Sequence, residues 1–150
     1  MSLDSAATPA FKSLQEFVTW ICETYRRPVD GSRHVWTGEW WKSAEVVLRM
    51  DALWKAYETL RLDPGTGLSV WWRDHLDYHM SVMLSTDGPL YDYTEESLMT
   101  RADYNQPLPC VDPPSEPAVP QPVLESTPFD LDRDIRWEYE LAAGRIPKDW

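Results

Sequence analysis

Apolar residues recur along the first part of this chain at helical spacing. Phe11, Leu14, Phe17, Val18, Ile21, Cys22 and Tyr25 fall on one side of a helix, and Pro28 ends the run near Arg27. Thr8 before Pro9 reads as an N-cap with proline at the first helical position, so this helix is expected to begin there. Asp30, Gly31 and Gly38 mark Val29 to Gly38 as a loop leading into Trp40 and Trp41. Ser43 then caps a second helix with a stripe of Val46, Val47, Met50, Leu53, Trp54, Tyr57 and Leu60. Asp51 and Lys55 pair at i,i+4 on its solvent side. The run Asp63-Pro64-Gly65-Thr66-Gly67 stops it with turn chemistry.

From Leu68 to Leu84 the pattern admits two readings. As a helix, Leu68, Trp71, Trp72, His75, Leu76, Tyr78, His79, Val82 and Met83 share a broad face, with Arg73, Asp74, Asp77 and Ser81 opposite. As a strand, Leu68, Val70, Trp72, Leu76, Tyr78 and Met80 alternate, and His75, Asp77 and His79 project together from the other face. Seventeen residues without Gly or Pro favour a helix, or two helices broken near Asp77. A turn at Asp87-Gly88-Pro89 follows, with a short candidate helix across Glu95 to Arg101.

Eight prolines between Asn105 and Pro128 exclude a helix or a central strand and predict an extended strap or linker. Thr127-Pro128 repeats the capping signal, and Leu131, Ile135, Tyr139 and Ala142 form a narrow stripe closed by Gly144 and Pro147. The expected fold is mainly α. A flexible N-terminus (1–8) leads into a Trp-rich helical domain (9–103), a Pro-rich strap (104–128) and a C-terminal amphipathic helix (129–150).

Composition sharpens this picture through tryptophan: the chain holds 9 in 150 residues, and six of them lie between Trp36 and Trp72. Each can bury on the order of 150–250 Å² and carries an N–H that requires a partner. An apolar fraction of 43% suffices for one real core. The net charge of −11 excludes direct binding to phosphate backbones and to anionic lipid, since no cluster of Lys and Arg supplies counterion release. Its ordinary role is solubility.

Cys22 and Cys110 are too few for a disulfide framework or a zinc site, so reduced thiols are expected, with Cys22 buried in its helix stripe. The N-terminus has no basic segment followed by an apolar one, and no apolar run approaches the roughly 20 residues needed to span a bilayer. The expectation is a soluble protein inside a cell or a virion, making no membrane contact.

The residues Trp40-Trp41, Ala52-Leu53-Trp54, Asp63 through His75, His79 and Asp87-Gly88-Pro89 carry a resemblance. Over roughly Val35 to Leu90 the chain resembles a domain of unknown function found in actinobacteria, their phages and conjugative elements. The resemblance implies a mobile-element setting and carries no activity with it. Members of that family bear Cys and His at positions where Thr37, Ser43 and the Tyr91 to Leu98 segment stand here, so it transfers no metal site.

Among candidate sites, Asp74, His75, Asp77 and His79 offer two imidazoles and two carboxylates, a set able to hold a divalent ion with an open position. His75 and His79 are i,i+4, the spacing that presents two ligands on one helix face. Aromatic-flanked histidines on an apolar face are more often hydrogen-bonded core residues, and that is the reading adopted. Ser69, Ser81 and Cys22 lack a nucleophile elbow or a recognisable base. No phosphate-binding loop and no cofactor are expected.

Trp20, Leu48 and Leu62 fall off their helices' main stripes and are candidates for a partner-facing surface. Trp137, Tyr139, Ile146 and Trp150 on the last helix are candidates for docking into a groove, of this domain or of a partner. The sequence is therefore read as a non-enzymatic protein-interaction or structural protein of an actinobacterial phage or conjugative element, binding a protein partner or its own copies. Two alternatives are a small metal-dependent enzyme centred on His75 and His79, and an acidic DNA mimic that antagonises a host protein.

Overall fold

The computed structural model describes residues 7–93 and 106–121. Their architecture is mainly helical, as the spacing predicts. Helix α1 spans Leu14–Thr24, a 3₁₀ turn Trp40–Lys42, and helix α2 Ala44–Leu60. A third helical stretch begins as α3 (Gly67–Val70), passes through a π-helical turn (Trp71–Leu76) and continues as α4 (Asp77–Met83).

Helix α1 starts later than Thr8-Pro9 suggests. Residues before it are tied to α2 instead: Ala10 and Phe11 N–H groups donate to Glu58 Oε1 at 2.8 and 3.2 Å, and Arg61 holds the Thr8 carbonyl at 2.5 Å. Ser13 is the true cap, its Oγ accepting from Glu16 N at 3.1 Å. A further orphan donor, Leu14 N–H, is satisfied across the fold by Glu116 Oε1 at 2.9 Å. That carboxylate also suits the positive end of the helix dipole. The buried face is the predicted one, with Leu14, Phe17, Val18, Ile21 and Cys22 inside.

Ser43 caps α2 as expected, accepting from Val46 N at 3.4 Å. Val46, Val47, Met50 and Leu53 are buried, while Trp54, Tyr57 and Leu60 pack against the core half-buried. The Asp51–Lys55 pair forms at 2.6 Å. Asp51 does not face solvent, however, but lies nearly buried at 9% exposure beneath its lysine. Beyond Leu60 the turn closes on Asp63, which accepts from Gly65 N at 2.9 Å and Thr66 Oγ1 at 3.1 Å. The chain then doubles back so tightly that a Cβ on Gly67 would sit 1.8 Å from the Leu60 carbonyl oxygen.

The 68–84 stretch is helical, and the π turn explains its mixed pattern. Its inward residues are Gly67, Trp71, Leu76, Met80 and Met83, a succession that includes one step of five. An ordinary α-helix would rotate Leu76 off the face of Trp71, whereas i→i+5 bonding, seen from Asp77 N–H to Trp72 O, keeps both on the core. The broad predicted face is thereby narrowed: Leu68, Trp72 and Tyr78 point outward.

Val35 N–H bonds to Leu84 O at 2.9 Å, so the loop before the 3₁₀ turn lies along the end of α4 and brings Trp36 and Trp40 into the core. The Pro-rich segment is a strap laid on α1. Leu108 N–H donates to Cys22 O at 2.8 Å, Val111 N–H to Gly38 O at 3.0 Å, and Trp36 Nε1 to Pro109 O at 2.8 Å. Prolines suit such a path because their carbonyls still accept while their missing N–H groups ask for nothing.

The chain divides into two compact units, 1–120 and 121–150. The candidate helices across 95–101 and 129–150 lie outside the described residues. No helix among the described residues is long and apolar enough to cross a membrane.

Candidate functional site

Most of the described tryptophans are core. Trp71 is fully buried, its ring 5.0 Å from Tyr57, 5.9 Å from Trp20 and 6.4 Å from Phe17. Its Nε1 donates to Leu53 O at 3.0 Å. Trp54 Nε1 donates to Glu58 at 3.2 Å, and Trp36 is held by the strap. Burying a ring of this size is worth on the order of 4–6 kcal/mol of apolar transfer, provided its N–H is paired.

The exception to inward burial is Trp72, which remains 37% exposed. Adjacent residues on a helix point about 100° apart, so with Trp71 committed to the core its neighbour must look outward. Trp72 is nonetheless fixed in place. It stacks on Tyr25 at 6.2 Å and 21°, and meets Trp71 edge-on at 5.9 Å. The Arg27 guanidinium lies 4.0 Å from the centre of the Tyr25 ring, and the Tyr25 hydroxyl reaches Asp77 Oδ1 at 3.5 Å. Burial raises the Tyr25 hydroxyl above its ordinary range; the Arg27 charge opposes this and Asp77 reinforces it, so Tyr25 stays a neutral donor. Leu68, one helical turn before Trp72, is 45% exposed. The result is a rigid apolar edge with a cation at one end.

The residues singled out from sequence are dispersed. Trp20 is half-buried in the aromatic cluster, 5.2 Å from both Phe11 and Tyr57. Leu48 on α2 and Leu62 just beyond it are exposed. Trp137, Tyr139, Ile146 and Trp150 lie outside the described residues. Asp74 is engaged by Arg73 at 2.7 and 3.0 Å, and Asp77 faces Tyr25. His79 Nδ1 meets Arg49 Nη1 at 3.0 Å, while Arg49 also pairs with Glu45 at 2.9 Å. Burial, then the positive charge of Arg49 and that of His75, lower the His79 imidazole below its ordinary range. It is therefore neutral at pH 7, with Nδ1 accepting from the guanidinium. Among the described residues no three His, Cys, Asp or Glu side chains converge as a metal site. His75 is half-buried on the same helical stretch.

Sequence reasoning missed the Leu68–Trp72–Tyr25 edge because it assigned both tryptophans of the doublet to one broad face. The doublet itself was the available signal. It also missed a meeting of Cys22 with Cys110, which no local pattern announces. A family model described as "Domain of unknown function (DUF4913)" matches residues 11–114. No curated protein and no solved structure matches the chain.

Proposed function

The chain belongs to this family, and from that premise we propose that it is a non-enzymatic protein-interaction module of an actinobacterial phage or conjugative element, acting in the host cell or the virion. The observation that supports this reading is the exposed edge of Leu68 and Trp72 backed by Tyr25 and Arg27. Trp, Tyr and Arg are the residues that dominate binding energy at protein interfaces, and an anchor already held by its neighbours loses little side-chain entropy on docking. The partner is a protein, or a second copy of the chain, that presents an apolar side chain to Trp72 and a carboxylate to Arg27.

The test is binding with folding held constant. Trp72→Ala and Leu68→Ser, whose side chains reach solvent, are expected to keep the wild-type far-ultraviolet circular dichroism and a cooperative thermal transition. Each should lose at least tenfold in affinity for a partner captured by the wild-type chain and then purified, or for self-association followed by sedimentation. Variants that fold normally and bind as the wild type does would remove this edge from the interface.

A further inference from the structure

The strap returns Cys110 to the end of α1 that carries Cys22, although 87 residues separate them in sequence. The backbone is pinned on both sides of Cys110: Leu108 N–H donates to the carbonyl of Cys22 itself at 2.8 Å, and Val111 N–H to Gly38 O at 3.0 Å. Cys110 Sγ stands 3.9 Å from Thr19 Oγ1, and Thr19 is one helical turn before Cys22 on the same face. Both thiols are free. Cys22 is buried at 1% exposure, whereas Cys110 is only half-buried and open to a small reagent.

We propose that Cys22 and Cys110 form a site of reversible thiol oxidation, in which Cys110 attacks a low-molecular-weight disulfide and Cys22 resolves the adduct into an intrachain disulfide that fastens the strap to α1. In the first step Cys110 thiolate displaces one thiolate from the small disulfide, forming a mixed disulfide. In the second, Cys22 loses its proton to solvent and attacks Cys110 Sγ, expelling the second small thiol. The two protein thiols give up two electrons in total, and the small disulfide is reduced to two thiols.

The local chemistry assigns the roles. The neighbouring Cys22 thiol, outweighing burial and helped by Thr19 and the Trp40 indole, lowers the Cys110 thiol to about 7. Trp40 Nε1 is otherwise a buried donor without a conventional partner, and a thiolate at Cys110 is the anion that suits it. The interaction with Cys110, and then burial, push Cys22 well above the ordinary thiol range. Capping Cys110 as a mixed disulfide removes that first cause and frees Cys22 to act. A half-buried, low-pKa attacker beside a buried resolver is the arrangement that favours ring closure over a lasting adduct.

The experiment uses the full chain and oxidised glutathione. After acid quenching and alkylation under denaturing conditions, peptide mapping should show a Cys22–Cys110 linked pair in monomeric protein, reversed by dithiothreitol and accompanied by a higher melting temperature. Cys22→Ser should stop at a glutathione adduct on Cys110, and Cys110→Ser should leave Cys22 unmodified. Native alkylation of wild-type Cys110 should be half-maximal at about pH 7. A persistent glutathione adduct on wild-type Cys110, an interchain disulfide, or two thiols still alkylatable after oxidation would each overturn the proposal, and all three are read on the wild-type chain whether or not the variants fold.

Discussion

Gly67→Ala pits two effects of opposite sign against each other. Gly67 is the first residue of α3, and helix propensity alone would favour alanine there by up to about 1 kcal/mol. The fold opposes it. The added Cβ would lie 1.8 Å from Leu60 O, 2.9 Å from Leu60 C and 3.0 Å from Asp63 Cβ. An ordinary C···O contact is about 3.3 Å, so α3 and the end of α2 must part by about 1.5 Å. Leu60 O cannot swing aside, because it belongs to the backbone and accepts from Asp63 N at 3.1 Å. The displacement would draw Trp71 from Leu53 O and from Tyr57, which are held at 3.0 and 5.0 Å.

Overpacking that forces backbone to move costs about 1–3 kcal/mol, with this case at the upper end, and leaves a net loss of about 2 kcal/mol after the propensity gain. Gly65→Ala is the control. Its nearest neighbour would be Asp63 Oδ1 at an ordinary 3.4 Å, so reduced unfolded-state entropy should make it about 0.4–1 kcal/mol more stable. Urea unfolding followed by tryptophan fluorescence, with unchanged m-values, measures both. A Gly67→Ala protein as stable as wild type, or less harmed than Gly65→Ala, would refute the close approach of α2 and α3.

Three further outcomes follow from the packing. Trp71→Ala should cost about 3–5 kcal/mol and Trp54→Ala clearly less, because only Trp71 is fully buried; the reverse order in urea titrations would move the centre of the core. Glu58 gathers Ala10 N–H, Phe11 N–H, Trp54 Nε1 and Arg61, and although burial pulls the other way these bonds hold its carboxyl below the ordinary glutamate range. Its contribution is thus full above the unfolded-state value and is lost as pH falls through the lowered folded value. Glu58→Gln should cost about 1–2 kcal/mol at neutral pH and flatten the acid limb of stability, and an unchanged limb would discard the network. Glu116→Ala leaves Leu14 N–H without its partner and should cost about 0.5–2 kcal/mol; an unaltered melting temperature would show that the strap does not cap α1.

Local rules reached a good part of this fold. The inward stripes of α1 and α2, the Ser43 cap and the stop at Asp63 to Gly67 were all legible, because each depends on residues within a turn or two of one another. The start of α1 was misread for the converse reason. Thr8-Pro9 is a sound local signal, but Glu58 on α2 and Arg61 at its C-cap hold that backbone instead, and no neighbouring residue records the competition. Asp51 likewise formed the expected pair with Lys55, yet it lies nearly buried, which the i,i+4 spacing does not record.

The candidate site divides the same way. That a tryptophan-rich chain would build a helical domain followed from composition and spacing alone. Which tryptophan faces out did not, since the π turn at Trp71–Leu76 resets the helical register by an amount that only the fit of Leu76 and Met80 into the core determines. Nor could the sequence bring Cys110 to Cys22, or Pro109 to Trp36. A proline-rich segment dictates an extended path but not a destination, and the destination is set by which unpaired donors and apolar faces the folded helices leave for it to cover.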